Sequence, residues 1–447
     1  MIAQTLLALL ILFIPVASYA AYCFAGKSSL IVGGGLNVAV AGLMYFGPDL
    51  SGIFYIDFTT WVFVIMVASV HFLSVTYATK YFHGTDLGIR ENTFYLLMSL
   101  FTTSMFFSLE INNFGLMWVG IEATTISSSL LLIAEKTETS LEATWRYLVL
   151  VSAGVTFAFL SIILIFYSLG TLDVSSIISH GPEASPVLAL AVTIALMGFG
   201  TKVGIFPVHT WLPDAHSESP APVSAMFSGV LLPTALYVLY RVYEIDPLTP
   251  LYLWAGVVSI AAASIFLGYQ TRYKRMFAYS TMENMNLALI GFAIGGTAGI
   301  TGALLLLISH SFAKAGAFYT SGSIFKASGL KKISEIKGLW KSMPASSASL
   351  LMSSLAVTGA PPFGTFFGEF LIFYGLLSMH YYFPLAIIAF FLVTAFIAVN
   401  HNVSGMLFDG ESSYSEPGKV MPFLGILSSA IPVLIGLVFV VVYLETL

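Results

Sequence analysis

The sequence predicts an all-α polytopic membrane protein of about fourteen transmembrane helices. Three observations carry that expectation. Apolar residues make up 58% of the 447 and charged residues only 9%, whereas a soluble domain carries roughly 25% charge. Apolar runs of the length a bilayer requires, about 20 residues, recur along the whole chain. Lysine and arginine collect in alternate loops. The longest polar-leaning segments, 326–343 and 408–420, are loop-sized, so the chain reads as one membrane domain.

Spans 1 to 5 are expected at 2–25, 28–47, 55–78, 92–110 and 112–134. The first follows MIAQ and has its first positive residue, Lys27, after the apolar run, which reads as a retained helix rather than a secretory leader. Spans 6 to 9 are expected at 141–169, 186–210, 220–243 and 249–269, and spans 10 to 14 at 275–296, 299–325, 346–379, 383–405 and 421–444. Span 12 is too long for one pass and contains Gly359, Pro361, Pro362 and Gly364, so it reads as two half-helices. Span 7 carries Gly198, Gly200, Gly204 and Pro207 before a polar run from His209 to Ser219. Two such breaks at similar places predict inverted five-helix repeats, spans 4–8 and 9–13. The expected divisions are 1–90, 91–244 for the first repeat, 245–405 for the second and 406–447.

Thirteen of the seventeen Lys and Arg residues, Lys136 among them, fall in loops after odd-numbered spans. The positive-inside rule then puts both termini on the non-cytoplasmic side of the cell membrane. The formal net charge of −5 comes with no basic tail or patch, which excludes a nucleic-acid partner. The single cysteine, Cys23, excludes an internal disulfide or a cysteine metal centre.

Charge inside the spans is the functional signal. An ionisable side chain at mid-membrane costs roughly 2.5–3.5 kcal/mol on insertion scales, so it marks a site or a pair. Glu122 lies in span 5, Arg146 early in span 6, Lys202 in span 7, Glu283 in span 10, His310 and Lys314 in span 11, and Glu369 in span 12. Snorkelling to the interface is the competing account of Arg146 and Glu283, and a structural ion pair that of the others. Glu, Lys and His can be tuned by burial and by each other to exchange a proton. His310 and Lys314, four residues apart, share one helix face. The expectation is a Glu122–Lys202 pair that approaches directly or through one water.

The stretch GFGTKVGIFPVHTWLPDAHSESPAPVSAMFSGVLL (198–232) resembles the antiporter-like subunits of respiratory complex I, Mrp-type cation/proton antiporters and energy-converting hydrogenases. GIEATT around Glu122, KRMFAYSTMENM (274–285), HSFAK (310–314) and GAPPFGTFFGEF (359–370) follow in the same order. LEATWRY (141–147) and YSTMENM (279–285) are most similar to the hydrogenase and formate hydrogenlyase branch. The resemblance implies a proton relay of Glu122, Lys202, His310, Lys314 and Glu369. Arg146, His209, Asp214, His216 and Glu283 are accessory candidates. Pro233 stands where relatives often carry a lysine, so a central connection rests on span 11 and water.

The resemblance also implies proton or sodium translocation within a redox-driven complex. Its partners are other antiporter-like subunits and peripheral iron–sulfur or nickel–iron subunits. No catalytic centre, cofactor or metal is expected in this chain. A Mrp-type antiporter subunit is the alternative. A membrane-embedded enzyme is a more distant one, resting on His209, Asp214, His216 and Glu218 as an imitation of a metal site.

Overall fold

The computed structural model describes residues 2–82, 88–135, 137–181 and 184–445. Lys136 lies outside them. The chain begins with α1 (Ile2–Ala25) and α2 (Ser28–Met44), then a two-stranded antiparallel hairpin, β1 (Leu50–Ser51) and β2 (Tyr55–Ile56). Next come α3 (Phe58–Tyr81), α4 (Glu91–Glu110), α5 (Phe114–Leu132), α6 (Glu138–Leu169) and the short α7 (Val174–His180). After them stand α8 (Pro186–Val203) and α9 (Trp211–Glu218). A rod follows, made of α10 (Ala221–Met226), a π-helical segment (Phe227–Leu231) and α11 (Leu232–Tyr243). The second half holds α12 (Thr249–Gly268), α13 (Tyr273–Ile294), α14 (Gly296–Ser328), α15 (Leu339–Ser342), α16 (Pro344–Val357), α17 (Gly364–Ser378), α18 (Tyr382–Phe408) and α19 (Val420–Glu445).

Ten of these helices, counting the rod as one, are long and apolar enough to cross a bilayer. Every expected span overlaps a helix or a helix pair. The spans outside the ten fall on the short α2, the more polar α4 and α13, and the pair α16 and α17. Helix starts follow local chemistry. Asn113, Asp173 and Ser185 each accept a backbone N–H from the first turn of α5, α7 and α8, and Thr137 and Ser140 form a capping box on α6.

The body is centred on the rod, which is wholly buried, and on α13, which is nearly so. Around them stand helices such as α1, α18 and α19, whose outward faces carry Phe13, Phe383, Phe390 and Val438. The burial pattern suits a lipid-facing rim around a polar interior.

Both expected breaks are present. α8 ends at Gly204, which takes the left-handed backbone (φ 90°) that a side chain disfavours. Irregular backbone at membrane depth must be satisfied by protein or cavity water. Here Gly200 O accepts from Gly204 N and Ile205 N, both at 2.9 Å, and Trp211 Nε1 donates to Thr201 O at 2.8 Å. Ser259 Oγ accepts from Phe206 N (3.0 Å), and Asn286 of α13 donates to Gly204 O (3.2 Å). At the second break Thr365 donates to Ala356 O (2.5 Å), and Asn284, also of α13, donates to Val357 O (2.9 Å). One helix therefore serves both breaks.

A buried ion cluster ties α3 to α11. Arg241, 2% exposed, donates through Nη2 to both Asp57 oxygens at 2.6 Å and through Nη1 to Glu244 at 3.0 Å. Its guanidinium stands 5.0–5.7 Å from the rings of Tyr237, Tyr55 and Tyr240. Asp57, just ahead of α3, also caps that helix through Thr60 N (2.8 Å). Burial raises the Asp57 carboxyl, but the Arg241 charge and the Thr60 bonds outweigh it and hold it below the usual carboxylate range. A depressed value makes the contribution fully present above the unfolded pKa, about 4, and lost as pH falls through the folded value. Asp57→Asn is expected to destabilise the detergent-solubilised protein by roughly 3 kcal/mol at pH 7. Wild type and variant should converge on acidification in thermal unfolding, and equal melting at pH 7 would contradict the clamp.

Candidate functional site

Lys202 occupies the last turn of α8, just ahead of the break where the chain turns away. Its side chain is fully buried. Nζ donates to Ile121 O (2.7 Å), Thr124 Oγ1 (2.6 Å) and Thr125 Oγ1 (2.7 Å), all on α5. These use the three donors an ammonium offers. Glu122 is the next residue along α5, and its charge reaches Lys202. The carboxylate is nevertheless not bonded to it. Oε1 accepts from Ser152 of α6 at 3.2 Å, and Oε2 is buried with no protein partner. The expected pair is adjacent but not in direct contact, because successive helical residues point about 100° apart and α5 offers the amine a carbonyl and two hydroxyls instead.

The second buried lysine is held in the same way. Lys314, fully buried on α14, donates to Phe277 O and Ser280 Oγ of α13, each at 2.7 Å. Two carboxylates stand beyond it. Glu283, 2% exposed on α13, feels the charges of Lys314 and Glu369. Its Oε1 is buried without a protein partner, which removes the snorkelling account. Glu369, on α17, is half-buried, and its carboxylate rests against Gly359 in the second break. His310 is fully buried one turn before Lys314. Its ring lies near the Ser228 backbone, and neither ring nitrogen has a hydrogen-bond partner among the described residues.

The accessory candidates divide into two groups. Arg146, Asp214 and Glu218 line a polar cavity of about 480 Å³ with Glu142, Arg272 and Arg275. Arg146 is half-exposed and bridges Glu142 (2.6 Å) and Asp214 (3.1 Å), so it snorkels. Asp214 also pairs with Arg275. Glu218 accepts from Arg272 (2.6 Å), Thr139 (2.9 Å) and Lys331 (3.3 Å). Burial raises the Glu218 carboxyl, but Lys331, Thr139 and Arg272 together hold it below its ordinary value. His209 and His216 point elsewhere. His209 packs on Phe266 in the break, and His216 stacks on Phe318 at 4.9 Å, fully buried. Among the described residues no group of three His, Cys, Asp or Glu is placed to hold a metal. The acids of the enzyme-like reading are engaged by arginines and its histidines by aromatic rings.

Sequence reasoning missed Asn284 and Asn286, which cap the breaks, and two unassigned buried groups, His71 and Glu110. The signal was available in MENMN and in a histidine at the middle of span 3.

Two buried lysines, two broken helices and nearby carboxylates give the apolar body a polar interior. A family profile described as NADH:quinone oxidoreductase/Mrp antiporter, transmembrane, matches residues 112–398. The chain belongs to that family. Within this antiporter family, the hydrogenase-4 component F homolog of Methylacidiphilum infernorum (isolate V4) is 33% identical over 74% of this chain and 74% of its own length. A chain of an archaeal respiratory complex, the membrane-bound sulfane sulfur reductase, superposes with a TM-score of 0.86 at 23% identity, covering 97% of this chain and 94% of that one. A chain of the Mrp complex from Dietzia sp. DQ12-45-1b gives 0.86 at 18% identity, over 99% and 96%. The antiporter-like fold is thus shared by components of redox and Mrp complexes, and this chain is a multi-pass integral membrane protein of that kind.

The Gly359–Glu369 contact yields a test. Gly359 has φ 67°, and a methyl group there would meet the Glu369 carboxylate. Gly359→Ala is expected to cost roughly 1–2 kcal/mol from the left-handed backbone alone, with a further loss from the displaced carboxylate. Adding Glu369→Ala should recover that further loss, a coupling read from thermal unfolding of the two singles and the double. Additive losses would show that the two residues do not touch.

Proposed function

We propose that this chain translocates protons, or sodium ions, as an antiporter-like subunit of a redox-driven membrane complex. The observation that carries the reading is the burial of Lys202 and Lys314, each held on a carbonyl and hydroxyls with a carboxylate close by and not bonded. A permanent ion pair would bind its partner outright. A neutral amine donates two hydrogen bonds and accepts one, and a neighbouring hydroxyl can turn to supply that one, so a proton can leave a lysine seated on hydroxyl and carbonyl acceptors without dismantling the site. Glu122 and Lys202 form the exchange pair of the first half, residues 91–244. His310 and Lys314 are the central relay, and Glu283 and Glu369 lead out through the second half, residues 245–405. Electrons belong to partner subunits carrying iron–sulfur or nickel–iron centres, as the likeness to a hydrogenase-4 component suggests. The cavity bounded by Arg146, Arg272 and Arg275 faces the cytoplasm in this reading, with both termini on the other side of the cell membrane.

A Mrp-type antiporter subunit is the second reading, favoured by the equal fit to a Mrp chain. Co-purification separates the two: redox subunits accompany the first, transporter subunits alone the second.

Glu122→Gln and Lys202→Met are each expected to lower ion uptake into sealed vesicles by at least roughly a hundredfold, the scale of a lost proton-transfer group. The amount of assembled complex should be unchanged. Gln keeps the shape and hydrogen bonding of Glu but cannot titrate. The double variant should stay inactive. Recovery of uptake in the double would replace the relay with a structural pair, and full uptake in the singles would remove the assignment.

A further inference from the structure

The rod of α10, the π segment and α11 separates the buried lysines of the two halves, and from 221 to 240 it carries no Lys, Arg, His, Asp or Glu. What it carries is hydroxyls. We propose that Ser228 and Thr281 form a two-hydroxyl proton wire that delivers to Lys314; this rests on the ion-translocation reading above.

A direct hydroxyl contact and a shared acceptor lead toward Lys314. Ser228 Oγ and Thr281 Oγ1 are 2.6 Å apart, across the gap between the rod and α13, and both residues are fully buried. Thr281 donates to Phe277 O at 2.9 Å, and Lys314 Nζ donates to the same carbonyl at 2.7 Å. The hydroxyl and the amine therefore share one acceptor and lie within two hydrogen-bond lengths of each other. Ser280 holds Lys314 from the other side at 2.7 Å.

The π segment explains why Ser228 reaches this place. One extra residue in the turn re-aims the side chains that follow and loosens the carbonyl ladder, and such bulges recur at functional sites. Ser311 of α14 donates to Gly229 O at 2.5 Å, which fastens the widened turn to the helix that carries Lys314. Upstream, Ser224 is one turn before Ser228 and bonded to Ser219 at 2.6 Å, and Ser219 adjoins Glu218 at the arginine-lined cavity. Hydroxyls thus reach from the cavity edge to within one turn of Ser228.

The transfer conserves protons and charge. A hydronium that gives a proton to Ser228 Oγ lets the Ser228 hydroxyl proton pass to Thr281 Oγ1. The neutral Lys314 amine and the Thr281 hydroxyl both leave Phe277 O and turn toward each other, and Thr281 gives its own proton to Nζ. Lys314 becomes an ammonium, the hydronium has become water, and the groups rotate back.

Thr281→Val tests this because it keeps the shape of the side chain and removes only the hydroxyl. Proton uptake into sealed vesicles holding the whole complex is measured beside the amount of assembled complex. Thr281→Val is expected to lower uptake roughly tenfold or more, while Thr281→Ser keeps it near wild type. Ser228→Ala is the second variant, and it should be slowed even if Thr281→Val fails to assemble. Wild-type uptake in Ser228→Ala or in Thr281→Val overturns the wire, as does an equal loss in Thr281→Val and Thr281→Ser, which would mark packing alone. Lys202→Met runs alongside. Uptake lost there but kept in Thr281→Val overturns this inference only, whereas uptake kept in both overturns the translocation reading itself.

Discussion

Backbone polar groups released where a helix breaks have to be satisfied inside an apolar body, and the rest of this structure is arranged around that constraint. Each unsatisfied group costs several kcal/mol in hydrocarbon. α13 meets the demand for both breaks, with Asn286 on Gly204 O and Asn284 on Val357 O. A helix that must lie between two breaks cannot face lipid, which accounts for its near-complete burial and for polarity too high for a plain span. The carboxyl just ahead of the two asparagines, Glu283, is carried into the centre with them.

The same constraint places the lysines. Lys202 sits on the turn where α8 stops, so its amine lies at the depth of the break and takes Ile121 O, Thr124 and Thr125 as acceptors. Lys314 repeats the chemistry on α13 with Phe277 O and Ser280. Hydroxyls accept from an ammonium and donate to a neutral amine with little rearrangement, whereas a carboxylate favours the charged form strongly. Glu122 is held one residue to the side, on Ser152, near Lys202 and not bonded to it.

The Asp57–Arg241–Glu244 cluster and the arginine-lined cavity are two different ways of holding charge. The Asp57–Arg241–Glu244 cluster is compact, with one guanidinium nitrogen on both Asp57 oxygens, an N-cap and three rings around the guanidinium. It joins α3 to α11. The arginine-lined cavity is the opposite case, an open set of bridges in which Asp214 and Glu218 are each shared between two or more cations.

The sequence by itself determined the membrane class, where helices fall along the chain, both breaks and the buried charges at Lys202, Glu283, His310 and Lys314. Each of these is written in local composition: apolar run length, Gly and Pro in pairs, and ionisable residues where a bilayer tolerates few. The tertiary structure alone decided which of those charges meet. Glu122 and Lys202 read as a pair from sequence, yet the acceptors that hold Lys202 are its neighbours Thr124 and Thr125 and a backbone carbonyl, and a carbonyl leaves no mark in a sequence. Arg146 read as intramembrane, and its exposure follows from where α6 emerges beside α9, a matter of packing. Ser228 and Thr281 are ordinary residues in the chain. They become a site only because the π segment turns one toward the other across two helices far apart in sequence, and hydrogen bonding between distant segments is fixed by the packed fold.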